Sequence, residues 1–266
     1  MQNNSPVLPN EQKLHDAETA FRKYVDSFRS ADGSLVFPMQ AKLDHTFEVC
    51  SIADSLAFHE RFTRPDLHHL AALFHDVSRF EQIQIYHTFF DAKSFDHGTR
   101  SSELILEHSF LQAFSEEEQK CVSQAILVHN KYAIPDNFPK EYLEYAKALR
   151  DADKLAILCL LIRFFNGTYS GTTILLDLPD TPGFSPKICS NIRQGKCVRY
   201  TDMKCVNDFK LGLFAWLYDL NFISSIQYVH ERSLFEQILN FLPKDEPIVQ
   251  DVSVQAFSFI SSKLNL

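Results

Sequence analysis

The chain has 266 residues, 45 % of them hydrophobic and 23 % charged, which is enough apolar material for a sizeable core and excludes a disordered polyelectrolyte. Its net charge of −8 excludes broad electrostatic binding to a nucleic-acid polymer or an anionic membrane surface. Only 7 glycines are present and neither GxGxxG nor GxxxxGK(S/T) occurs, so the glycine-rich phosphate cradles of dinucleotide and P-loop sites are excluded as well.

Residues 1–10 are polar and hold two prolines, which is not the pattern of a secretory signal. Leu43–Phe62 places Leu43, Phe47, Cys50, Ala53, Leu56, Ala57 and Phe58 at helical spacing. Leu67–Val77 repeats the pattern, with Pro65 and Asp66 as start signals. A third helix is predicted over Gly98–Phe114. Ser115-Glu116-Glu117-Glu118 is a capping box that opens a fourth, running to about Lys131. Pro139 starts a long fifth helix to Phe165, and its apolar end, Leu155–Phe165, predicts burial on all sides. The longest apolar run, Leu155–Ile162, is too short to cross a bilayer. A loop region rich in Gly and Pro follows over Asn166–Thr201, with a short strand as one reading of Thr172–Leu178. Amphipathic segments at Met203–Leu220, Ser224–Leu242 and Ile248–Leu264 close the chain. The expectation is one all-α domain with a core over 41–165, a loop region over 166–201 and a helical extension over 202–266.

The six cysteines form no CxxC pair. Cys189, Cys197 and Cys205 are evenly spaced but further apart than the pairs of zinc sites. A reduced, soluble, cytoplasmic protein is expected.

Histidine carries the chemical signal. Nine of the eleven lie between His45 and His129, and neutral imidazole with carboxylate is a common metal-binding combination. His75-Asp76 ends an apolar helix and offers two ligand types at one point. His45 lies on the preceding helix, and His97 and His129 each stand at a helix end. Asp151 and Asp153 lie in a mostly apolar stretch, where an ionised carboxylate needs a partner.

In this order the residues resemble the HD superfamily of metal-dependent phosphohydrolases. The family's His, His-Asp and distant Asp correspond to His45, to Leu73-Phe74-His75-Asp76-Val77, and to Ala152-Asp153-Lys154-Leu155. His97 and His129 match, in order, the two extra histidines of a subset that holds two metals bridged by the Asp of the His-Asp pair. The resemblance covers about residues 41–165. It implies an HD-type helical bundle and a metal set of His45, His75, Asp76, His97, His129 and Asp153. Asp153 is favoured over Asp151, which becomes a neighbouring or surface group.

A set of four His and two Asp suits one or two divalent ions, with Mn, Fe, Co or Ni favoured and Mg also possible. Asp76 is expected to act directly in catalysis. Arg79 is read as a bidentate phosphate contact, with a surface ion pair to Glu81 as the plainer reading. Lys154 is a second phosphate contact by adjacency to Asp153. The five basic residues against one acidic in 187–204 form a lid for an anionic substrate or, on the plainer reading, a solvated face. Of the remaining histidines, His87 is the one expected to reach the site. The implied activity is hydrolysis of a small phosphorylated substrate, such as a nucleotide or phosphorylated metabolite. Two alternatives are a mixed-valence di-iron oxygenase and a non-catalytic sensing or scaffolding module.

Overall fold

In the computed structural model, which describes residues 9–168 and 178–266, helices make up 69 % of the described residues and no strand occurs among them, as the all-α reading requires. The chain divides into two compact units, Met1–Arg150 and Asp151–Leu266.

The first unit holds α1 (Pro9–Asp26), α2 (Phe37–Glu60), α3 (Pro65–Phe74), α4 (Ser78–Tyr86), α5 (His97–Glu107), α6 (Glu116–His129) and the beginning of α7 (Leu143–Phe165). α2 starts before the expected Leu43 because Pro38 pre-sets the first turn. It stops where Arg61 turns left-handed at φ 58° and its N–H caps the Ala57 and Phe58 carbonyls. α3 is the central element. It packs against α1, α2 and α6, and Leu67, Leu70, Ala71, Leu73 and Phe74 are all buried. The Phe74 ring meets Phe21 edge-on at 5.6 Å and stacks on Phe110 at 5.1 Å. Burying a side chain of this size contributes about 1.5–3 kcal/mol, which anchors the residue directly before His75.

Three boundaries differ from expectation. α3 ends at Phe74, so His75, Asp76 and Val77 form a buried turn leading into α4, which the sequence reading did not contain. α5 begins at His97, because the Asp96 side chain accepts the Thr99 N–H at 2.9 Å as its N-cap. It stops at Glu107 rather than Phe114, and Ser109 beyond it takes a left-handed φ of 53° that breaks the helix. The Ser115–Glu118 capping box is present as expected. α1 was also not anticipated.

The second unit holds the rest of α7 with α8 (Pro186–Arg193), α9 (Val206–Trp216), α10 (Ile223–Glu231), α11 (Leu234–Leu239) and α12 (Pro247–Leu264). α12 packs against α8, α9 and α10, over a core that includes Phe214 and Phe235, ring centroids 4.8 Å apart. α8 occupies part of the stretch 166–201 that reads as loop from its Gly and Pro content. Ser233, left-handed at φ 49°, splits the single segment expected over Ser224–Leu242 into α10 and α11. Residues 172–177 of the suggested strand lie outside the described residues. Among the described residues no helix is long and apolar enough to cross a membrane.

Candidate metal centre

The turn between α3 and α4 puts Asp76 at the middle of the first unit, 3 % exposed, with His75 beside it wholly buried. A carboxylate so far from water is costly unless cations or donors surround it. Histidines do so from four elements: His45 from α2, His75 from the turn, His97 from the first residue of α5 and His129 from the last of α6. His45, His75 and Asp76 offer ligand atoms within 4.8 Å of one another, and so do Asp76, His97 and His129. Asp76 is common to both groups.

The ring orientations follow from what each Nδ1 touches. His75 Nδ1 lies 2.7 Å from the Ala72 carbonyl and His129 Nδ1 lies 2.7 Å from the Ile126 carbonyl. A carbonyl can only accept, so both Nδ1 atoms carry the proton and both Nε2 atoms present a lone pair. His97 Nδ1 donates to Asp91 Oδ2 at 2.5 Å. Burial raises the Asp91 carboxyl, and His97, Arg79 and Gln82 outweigh it to hold its pKa at about 2, so Asp91 too can only accept. Burial first, and the Arg79 charge after it, lower the His97 pKa against the pull of Asp91 and Asp76, which keeps that imidazole neutral. The Nε2 atoms then lie around one carboxylate. His75 Nε2 is 3.4 Å from Asp76 Oδ2, while His97 and His129 Nε2 are 3.6 and 4.0 Å from Oδ1. Pinning the far nitrogen of a histidine is how metal sites fix tautomer and aim.

Two cations complete the surroundings. Lys42, one turn before His45 on α2, brings Nζ to 2.6 Å from Asp76 Oδ2. Arg79 Nε is 3.4 Å from Oδ1. Burial would raise the Asp76 carboxyl, but the Lys42 charge foremost, with Arg79, holds it well below the usual carboxylate range, so Asp76 is ionised. Oδ1 nevertheless receives no hydrogen bond. A buried, ionised oxygen with no hydrogen-bond donor and two imidazole nitrogens 3.6 and 4.0 Å away suits a cation. The mixed nitrogen and oxygen donors suit a first-row divalent metal better than calcium.

Arg79 is more deeply engaged than a surface ion pair. Its Nη1 donates to Gln82 Oε1 at 2.6 Å, the Phe89 carbonyl at 2.8 Å and Asp91 Oδ1 at 2.8 Å, while Nη2 donates to His97 Nε2 at 3.3 Å. Glu81, the plainer partner expected for it, pairs instead with Arg100 at 3.0 Å. The Phe89 ring lies against both cations, 5.6 Å from Lys42 Nζ and 5.4 Å from the Arg79 guanidinium carbon.

Five of the six candidate ligands are thus brought together. Asp153 belongs to neither ligand group and stands half-buried on α7 in the second unit. Its neighbour Asp151 has its oxygens taken: it accepts from Asn221 N and Nδ2 at 2.8 Å, Phe222 N at 3.2 Å and Ser225 Oγ at 2.7 Å, which ties α7 to the start of α10. Lys154 is paired with Asp219 at 2.9 Å. In the basic stretch 187–204, Lys187 pairs with Asp202 and Arg193 with Asp251, at 2.7 and 2.9 Å. His87 is exposed and caps α4 in a left-handed conformation.

The sequence reading missed Lys42, Gln82, Asp91 and Arg150. Only Lys42 had a sequence signal, its place one turn before His45. Arg150 is buried and its Nη1 donates to the carbonyls of Val128, His129 and Lys131 at 3.2, 3.1 and 2.6 Å, closing the C-terminus of α6 where His129 stands.

Compared with known proteins, residues 43–158 match the family model of the HD domain. No curated protein and no solved structure matches the chain. The matched stretch contains His45, His75-Asp76, His97, His129 and Asp153, so this part of the chain is similar to the HD domain.

Proposed function

We propose that this protein is a metal-dependent phosphohydrolase acting on a small phosphorylated substrate, a nucleotide or a phosphorylated metabolite. The observation that carries the reading is the convergence of three histidine Nε2 atoms on Asp76, whose Oδ1 receives no hydrogen bond while the far nitrogens of those histidines are tied down. His45, His75 and Asp76 would hold one divalent ion, and Asp76, His97 and His129 a second. Asp153 would complete the set as the family resemblance implies. Mn, Fe, Co or Ni fits the donors best, and Mg also fits the chemistry.

A bound divalent ion supplies a water of lowered pKa and polarises a phosphoryl oxygen. The chain's own groups do the rest. Asp76 stays ionised through its cationic neighbours and is able to bridge two ions. Asp91 holds His97 in the tautomer that keeps the lone pair on Nε2, where Arg79 Nη2 donates to it at 3.3 Å. Arg79, tied by Nη1 to Gln82, Phe89 and Asp91, sets its positive charge beside Asp76, where it suits an anionic phosphoryl oxygen. The hydrolytic reading is favoured over an oxygenase or a non-catalytic module because a guanidinium and an ammonium flank the carboxylate, and both suit an anionic substrate.

The test is metal analysis of the purified protein followed by a phosphoester and nucleotide panel with Mn, Fe, Co, Ni and Mg. Hydrolysis of at least one phosphoester is expected with a first-row metal, and Asp76→Ala should remove both metal and turnover. Metal-loaded protein inert across the panel, or full activity in Asp76→Ala, would refute the reading.

A further inference from the structure

We infer that Lys42 is an internal counter-ion that competes with a divalent cation for Asp76 and so sets the affinity of the site. The inference rests on the metal-site reading above and adds to it a residue that tunes binding without being a ligand.

The ammonium of Lys42 lies 2.6 Å from Asp76 Oδ2, the same oxygen that His75 Nε2 approaches at 3.4 Å. Both the carboxylate and His75 are almost entirely removed from water, and the Lys42 side chain is 22 % exposed. A cation held by His45, His75 and Asp76 would therefore meet the Lys42 positive charge in surroundings that screen it poorly. The placement of Lys42 is determined by two features. The residue sits one turn before His45, which directs both side chains to the same side of α2. Its head lies against the Phe89 ring, 5.6 Å from the centroid, and Phe89 also faces Arg79. Each ligand group thus has its own monopositive neighbour: Lys42 at Oδ2, and Arg79 at Oδ1 and His97 Nε2. Arg79 is tied to Gln82, Phe89 and Asp91 by Nη1 alone. Lys42 makes a single short contact at the end of a flexible stem, so it is the one able to withdraw when an ion arrives.

An ammonium that only neutralises Asp76 as a structural pair and one that competes for it give opposite signs when removed. Lys42→Met keeps the length of the stem and deletes the charge. If Lys42 competes, the variant binds Mn more tightly, by about tenfold or more, because a nearby repulsion is gone. If Lys42 acts by holding Asp76 in place, the variant binds Mn equally or more weakly.

The experiment is a chelator-competition titration of Mn into full-length wild type, Lys42→Met, Lys42→Gln and Lys42→Arg, with the melting temperature followed with and without Mn. Expected are tighter binding in the Met and Gln variants, near wild-type affinity in the Arg variant, and a melting temperature that falls in the metal-depleted Met variant and recovers with Mn. Unchanged or weaker binding in both the Met and Gln variants overturns the inference and leaves the metal site standing. Absence of Mn binding in every form, wild type included, overturns the metal-site reading itself. Should Lys42→Met fail to fold, Lys42→Gln carries the same comparison.

Discussion

Asp76 and Asp151 are both buried acids, and their surroundings give them opposite roles. Asp76 is surrounded by charge and imidazole, with one oxygen receiving no hydrogen bond. Asp151 is fully hydrogen-bonded by neutral donors, and burial raises its carboxyl against the opposing pull of Asn221 and Ser225. Asp151→Ala leaves several buried donors without an acceptor and should cost about 3 kcal/mol of folding stability, with Mn affinity unchanged. Asp153→Ala is expected to do the reverse, lowering Mn affinity at little cost in stability. Denaturant titration and Mn titration of both variants separate the two, and weaker Mn binding in Asp151→Ala alone would reverse the assignment. At this scale the resemblance to the HD superfamily singled out His45, His75, Asp76, His97 and His129, and the structure brings their ligand atoms into two groups that could hold a metal. Asp91 and Arg150 were not legible, because their roles come from which tertiary neighbours they reach. An aspartate in a loop and an arginine on a helix are otherwise ordinary.

At the level of elements, the centre depends on how closely α5 and α6 approach. Gly98, the residue after His97, permits this. A Cβ there would lie 2.6 Å from Asn130 Oδ1 and 3.1 Å from the Ile126 carbonyl, and the carbonyl belongs to α6 and cannot swing away. Gly98→Ala should push the helices apart, cost about 1–3 kcal/mol, and weaken binding at the His97–His129 side more than at the His45–His75 side. Equal loss at both sides, or none, would contradict this. α3 is tied to α1 and α2 by His69, whose Nδ1 lies 2.9 Å from Asp54 and Nε2 3.3 Å from Glu18. Burial lowers the His69 pKa, but the hydrogen bond and charge of Asp54, with Glu18, raise it above the ordinary 6.5 overall. A raised folded pKa contributes stability that is full below 6.5 and fades as pH rises through the folded value. His69→Gln should therefore lose up to about 1 kcal/mol at pH 6, a small figure because Asp54 is half exposed. It should lose almost nothing at pH 9. A loss independent of pH would mean that His69 acts by packing alone. Long helices with apolar spacing were legible, and so was the Ser115 capping box. α4 and α8 were not, since each is short, polar on one side and flanked by residues that also suit turns. The early end of α5 was hidden because Phe110, Leu111 and Phe114 are buried from turns while keeping helix-like spacing.

The stretch that matches the HD-domain model spans residues 43–158, and the boundary between the two compact units falls inside α7, between Arg150 and Asp151. No linker, composition change or run of charge marks that point, so an unbroken helical pattern conceals the division from the sequence. The all-α class was legible because apolar spacing near 3.6 residues recurs from α2 to α12. The central claim is that the first unit gathers a divalent metal around Asp76. Diffraction from manganese-loaded crystals at the manganese absorption edge measures this directly. The expected result is an anomalous peak bonded to Asp76, with His45 and His75 on one side and a second peak toward His97 and His129. Full manganese occupancy elsewhere in the protein, with no peak at Asp76, would contradict the claim.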